Sequence, residues 1–119
     1  MGALRRLIDR LTESDEQRLD DETRDWAATI PGAIRIADAP LRERVKIAGV
    51  IRRLTVLPME DNEALEAVVS DGTAEVVVQF MGRRSIRGLG LGTRVIVEGV
   101  LGEQRGTVKM MNPHLELSR

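Results

Sequence analysis

Apolar and polar residues alternate along two neighbouring stretches, Leu65 to Ser70 and Glu75 to Phe80, with Asp71-Gly72 between them. Successive side chains of a strand point to opposite faces. Leu65, Ala67 and Val69 therefore share one face, and Glu66, Val68 and Ser70 the other. The second arm turns Val76, Val78 and Phe80 inward and Glu75, Val77 and Gln79 outward. An Asp-Gly pair between such runs predicts a hairpin, because a tight turn needs a positive φ that Gly adopts without steric cost.

Upstream the period changes. Leu4, Leu7, Ile8 and Leu11 fall at i, i+3, i+4 and i+7, which predicts a helix over residues 3 to 12 with Arg5, Arg6, Asp9 and Arg10 off the apolar stripe. Ser14 and Gln17 read as a capping box, so either a second helix starts there or one helix runs through. From Leu19 to Thr29 the apolar positions are sparse, and Pro31-Gly32 ends the helical stretch. The stripe is expected to cover part of the following domain or a second copy of itself. A basic amphipathic helix can also lie on a membrane or on nucleic acid, but Asp9 interrupts its polar face and acidic residues follow directly. Residues 33 to 42, with Pro40, read as a connector.

Val45 to Val56 is too rich in β-branched residues, and too interrupted by Gly49, for a helix. Gly inside a strand marks a bulge or bend, which lets one strand serve both halves of a barrel. A polar loop, residues 58 to 62, leads into the hairpin, and residues 82 to 92 form a long connection. Arg94 to Leu101 is a fourth strand, residues 102 to 106 a turn, and Thr107 to Met111 a fifth strand. Asn112-Pro113 then bends the chain toward Leu115 and Leu117. The expected fold is mainly β: a five-stranded Greek-key barrel over residues 43–119, preceded by an N-terminal helical segment and connector over residues 1–42. Closure removes the edges that an open sheet of five strands exposes.

Composition narrows the chemistry. A chain of 119 residues can bury a core without staples, and the absence of Cys excludes disulfides and thiolate metal sites. A reducing cytoplasm is the expected setting. Net charge is -1, so any binding of nucleic acid must come from local patches. Residues 1–42 carry 7 basic and 9 acidic side chains, and residues 43–119 carry 11 and 10. No apolar run approaches the ~20 residues that span a bilayer. The first residues lack the apolar core of a signal peptide, and Arg6 stands where a myristoylation pattern needs Ser or Thr. No membrane partner is expected.

Val45-Lys-Ile-Ala-Gly49, Ser70-Asp-Gly-Thr73 within the hairpin, Gly92-Thr-Arg-Val-Ile-Val-Glu-Gly99 and Met110-Met-Asn-Pro113 give residues 43 to 117 a family likeness. The segment resembles an OB-fold of the anticodon-binding and helicase-wedge kind. The wedge domain of RecG-type helicases has a similar layout, with a Met and an Asn- or His-Pro near the last strand. The whole chain resembles small stand-alone OB-fold proteins of actinobacteria. The resemblance implies nucleic-acid binding in a groove across strands two and three, flanked by the loops after strands one and four.

Catalytic constellations are poor. His114 is the only His, so no Cys-His pair and no zinc site of the usual ligands can be assembled. Gly88-Leu-Gly-Leu-Gly92 lacks the Lys-Ser/Thr of a phosphate loop and leads into a strand. Glu60, Asp61, Asn62 and Glu63 lack the ligand spacing and Gly of a calcium loop. No enzyme activity, metal or cofactor is expected.

The basic residues are more informative. From Val76 to Leu115 there are 6 basic and 2 acidic residues. Arg105 falls in the loop after strand four, Arg52 and Arg53 near the end of strand one, Arg83, Arg84 and Arg87 in the connection after strand three, and Lys109 on strand five. These seven are the candidate nucleic-acid-binding residues, each contact adding salt-dependent affinity for DNA or RNA. Exposed rings on which bases stack are missing: Phe80 faces inward and Trp26 precedes the barrel. The expected groove face carries Glu66, Val68, Ser70, Glu75, Val77 and Gln79, so Arg planes must do any stacking and binding should be weak and sequence-tolerant. The rival expectation is a protein-interaction or oligomerisation module, in which the helix stripe and outward Val68 and Val77 engage a partner or a second copy.

Overall fold

The computed structural model describes residues 2 to 118, without the side chains of Asp9, Leu11 and Thr12. The places of Leu11 in the stripe and of Asp9 on the polar face therefore lie outside the described residues. One helix, α1 (Gly2–Ala27), runs through the position where a second might have begun. No Gly or Pro occurs between Gly2 and Pro31 to break it, so Ser14 lies inside the helix and is not a cap. A turn over residues 28 to 32 follows. Ile34 then donates its N–H to the Lys46 carbonyl, and a single 3-10 turn, Ile36–Asp38, leads to the first strand.

Six strands follow: β1 (Arg44–Pro58), β2 (Glu63–Ser70), β3 (Glu75–Met81), β4 (Arg94–Gln104), β5 (Thr107–Met111) and β6 (His114–Leu117). Their order is β1-β2-β3-β5-β4, and β4 pairs back onto β1 to close the ring. All neighbours are antiparallel except β3 and β5, where Val77 stands opposite Lys109. These are the five expected barrel strands. The sixth is an addition: Asn112, at φ 46, and Pro113 reverse the chain so that Leu117 pairs with Val95 on the outer margin of β4.

β1 serves both halves of the barrel, as expected. Residues 44 to 50 pair with β4 and residues 50 to 58 with β2. The register slips between Ile51 and Arg53, however, so the bulge lies at Arg52 and not at Gly49. Gly49 is needed for a different reason, since a Cβ there would stand 2.5 Å from the Ser70 carbonyl oxygen. The slip has a consequence for the faces. Before it Val45, Ile47 and Ile51 point inward; after it Leu54 does, and Arg53 is turned out to solvent beside Arg52.

Ile47, Ile51, Val69, Val76, Val78, Val95, Val97, Leu101 and Met110 fill the interior, with Phe80 7% exposed beside them. Full burial of such side chains contributes roughly 1.5 to 3 kcal/mol each before entropy is set against it. Ile36 of the connector closes one end of the cylinder. At the other end Ile86 and Leu89, from the long connection between β3 and β4, pack against the core beside Leu54 and Leu65.

The hairpin turn is longer than the Asp-Gly pair implied. Ser70 pairs with Glu75, which leaves Asp71 to Ala74 as a four-residue loop with Gly72 at φ 86. Asp71 is 2% exposed. Its carboxylate accepts the N–H groups of Thr73 (2.8 Å) and Ala74 (3.2 Å), the Thr73 hydroxyl, and the N–H of Ile36, 35 residues away, at 2.8 Å. The Ala37 N–H donates to the Thr73 hydroxyl at 3.2 Å. The turn thus holds the connector, and the connector delivers α1 to the barrel.

Candidate nucleic-acid interface

Two outward faces result from the alternation. On the first, made by the early part of β1 and the start of β4, Ala48 points out yet is 1% exposed. The C-terminal part of α1 lies over it. Thr23 is buried, with its hydroxyl donating to the Leu19 carbonyl, and the Arg94 guanidinium sits 4.9 Å above the Trp26 ring. At Gly72 the helix backbone comes so close that a Cβ would clash with the Asp20 carbonyl oxygen. Trp26, one of the chain's two aromatics, is taken up by this contact.

The second face spans β2, β3, β5 and the far ends of β1 and β4, and nothing in the described chain covers it. One row crosses it as Arg53, Val68, Val77, Lys109 and Gly102, and the next as Thr55, Glu66, Gln79 and Met111, each set by strand pairing. Two shallow depressions mark its sides. A polar one of about 240 Å³ is lined by Arg52, Arg53, Val68 and Glu75. A more apolar one of about 370 Å³ is lined by Val100, Gly102, Glu103, Gln104, Lys109 and Met111. The Gln79 amide donates to Glu66 at 2.7 Å, and the Lys109 ammonium to the Gln104 side chain at 3.2 Å.

Of the seven candidate cations, Arg53 and Lys109 lie on this face. Arg52 is at its border, 3.7 Å from the Asp20 carboxylate, and occupies the middle of a 15-residue strand instead of its end. Arg105 stands exposed at the β4–β5 turn, with φ 53. Arg83 and Arg84 follow Met81 at the opposite end, Arg84 at 3.5 Å from Glu63. The rise of a strand, about 3.3 Å per residue, sets the two ends about 20 Å apart along β3. Arg87 is not brought to the face: its turn, Ile86 to Leu89, lies toward Leu117 of β6.

Ser70, expected outward in the groove, is 7% exposed; the four-residue loop folds over it, and its hydroxyl accepts the Gly72 N–H at 3.2 Å. Val100 and Met111, both at least half exposed, belong to the face and were missed. The signal was available, since Val97 and Leu101 inward imply Val100 outward. The described surface thus offers an apolar strip bordered by cations and tempered by Glu66, Glu75 and Glu103. Among the described residues no cluster of His, Asp or Glu could hold a metal ion, and no helix is long and apolar enough to cross a membrane.

No protein-family model and no curated protein sequence matches this chain. Solved structures do. The chain superposes on RecG bound to a three-way DNA junction with a TM-score of 0.57 and 19% identity, covering 72% of this chain and 12% of that one. It superposes on a chain of a replication protein A heterotrimer bound to single-stranded DNA with a TM-score of 0.52 and 16% identity, covering 76% and 68%. This chain thus spans about an eighth of the RecG polypeptide. Taken with the closed order β1-β2-β3-β5-β4, these likenesses give the barrel its name: it is an OB fold.

Proposed function

We propose that this chain is a non-enzymatic, cytoplasmic OB-fold module that binds single-stranded nucleic acid weakly and without strong sequence preference. The observation that carries the reading is the contrast between the two outward faces. One is overlain by α1; the other is open, with Arg53 and Lys109 on it and Arg52, Arg105, Arg83 and Arg84 along its borders. Both solved structures described above hold DNA, one of them a single strand, which supports the same reading. Weakness follows from the face itself. It has no aromatic ring, where each stacked base contributes roughly 1–3 kcal/mol, and its carboxylates oppose a phosphate chain. Sequence tolerance follows from apolar and cationic contacts that read no base edge. The cysteine-free sequence suits a reducing compartment.

Fluorescence anisotropy with labelled oligothymidine and oligouridine at low and moderate salt tests the proposal. Affinity should fall as salt rises. The double variant Arg53→Ala/Lys109→Ala should bind about ten-fold more weakly and flatten the log–log salt slope by about 1.4, at ~0.7 per lost contact on a single strand. No binding at low salt, or binding indifferent to salt, sinks the reading.

A further inference from the structure

α1 divides into two unlike parts. Beyond Leu19 it is docked; before it, every described residue from Gly2 to Leu19 is exposed, and the molecule measures 51 Å along its longest axis against 35 and 31 Å across. Leu4 is 65% and Leu7 54% exposed, on one helical face with Ile8. Most helical stability in proteins comes from packing an amphipathic face rather than from propensity, and here that face stands exposed. Its charges make matters worse. Residues 2 to 12 carry three Arg and one Asp, while residues 13 to 25 carry seven carboxylates and two Arg. The first turn holds no acidic residue. Cations at the N-terminus and carboxylates toward the C-terminus oppose the helix macrodipole, which favours the reverse order. A lone solvated helix gains nothing from this arrangement.

An antiparallel neighbour of the same sequence turns each of these features to advantage. We propose that the projecting part of α1 pairs antiparallel with the same segment of a second copy of this chain. A two-fold axis passing near Leu7 and Ile8 sets the leucine stripes of the two copies against each other. It carries the acidic stretch from Glu13 to Glu16 of each copy to the other helix's N-terminus, where the macrodipole is positive and Arg5 and Arg6 follow, with Asp15 on the side of the stripe. The two dipoles run opposed. A lipid surface or a nucleic acid fits less well, because the carboxylates that follow Arg10 would face the same anionic sheet or strand. The apolar seam is short, so the dimer is weak and concentration-dependent. Pairing does not depend on nucleic-acid binding, since it uses neither outward face of the barrel.

Light scattering on the full chain over a concentration series should show the mass rising from 13.2 kDa toward twice that value. Leu7→Asp should hold it at the monomer while urea unfolding of the barrel is unchanged. Orientation is read by cross-linking, for which the absence of native cysteine is convenient. Under mild oxidation a mixture of the Leu4→Cys and Leu11→Cys variants, positions that the two-fold axis sets opposite each other on the stripe, should form a mixed disulfide dimer, and neither variant should cross-link alone. Any of four results overturns the proposal: a constant monomeric mass, a dimer indifferent to Leu7→Asp, cross-linking of Leu4→Cys with itself, which marks a parallel pair, or a monomer whose helix binds anionic phosphatidylserine vesicles. Oligonucleotide anisotropy on Leu7→Asp keeps this outcome separate from the function proposed above.

Discussion

The two outward faces of the barrel come from the same strands and the same alternation, yet one is overlain by a helix and the other stands open. Over Ala48 and Arg94 the chain supplies its own cover, residues 20 to 26 of α1, fastened by Gly72, Trp26 and the Asp20 carboxylate. Over Val68, Val77 and Lys109 it supplies none, although Val100 and Met111 leave apolar surface in water there. Strand geometry alone therefore does not decide which outward face of this barrel stays open. The face is what remains after the flanking segments have docked, and here a helix at the border already occupies one of the cations, Arg52.

The largest effect on that contrast should come from Asp71, the link between the hairpin turn and the connector that carries α1. Asp71→Ala leaves the N–H groups of Ile36, Thr73 and Ala74 without their acceptor, the first buried and the other two partly so. Each such loss costs about 1–3 kcal/mol. Urea unfolding should show a destabilisation of about 3 kcal/mol, and hydrogen exchange over residues 34 to 38 should quicken. Wild-type stability in this variant would mean that the connector is held by Ile36 packing alone.

The same residue shows where the sequence could be read and where it could not. Burial of Val76, Val78 and Phe80 was legible, because strand alternation is imposed locally and needs no knowledge of the partner. The carboxylate of Asp71 bonds across 35 residues, and no local pattern announces such a bond; it was read as half of a tight turn, which is a loop of four. The bulge left a trace, since the apolar phase shifts from Val45, Ile47 and Ile51 to Leu54, although Gly49, the residue type that marks a bend, stands three positions before it. Among the cations, charge was legible and convergence was not. That Lys109 stands beside Val77 follows from a parallel β3–β5 pairing made by the Greek-key path, and that Arg87 faces away follows from how Ile86 and Leu89 plug the barrel end.

A smaller effect should come from Gly72, where the cover meets the turn. Gly72→Ala combines a positive φ, at a cost of about 1–2 kcal/mol for an L-residue, with a Cβ driven into the Asp20 backbone. Gly106→Ala is the control, having a similar φ of +80 with nothing within 4 Å of the added Cβ. Both variants should lose stability in thermal unfolding, and Gly72→Ala should lose about 1 kcal/mol more. Only Gly72→Ala should hasten tryptic cleavage after Arg24. Equal losses and equal cleavage would show that the turn does not hold the helix.

The smallest effect tests whether the cover reaches into the open face. Asp20 lies 3.7 Å from Arg52, with both side chains more than a third exposed. A pair so solvated contributes well under about 1 kcal/mol, so Asp20→Asn should leave the unfolding midpoint almost unmoved. It does, however, release a guanidinium and remove a carboxylate at the margin of the Arg53 depression. Oligonucleotide affinity at low salt should therefore rise about two-fold and the salt slope steepen by up to ~0.7, the increment of one further phosphate contact on a single strand. The gain should vanish in Asp20→Asn/Arg52→Ala, which separates recruitment of Arg52 from a general reduction of negative charge. If the double variant keeps the gain, α1 acts on the open face only through its net charge, and the border between the two faces lies further from the groove than Arg52.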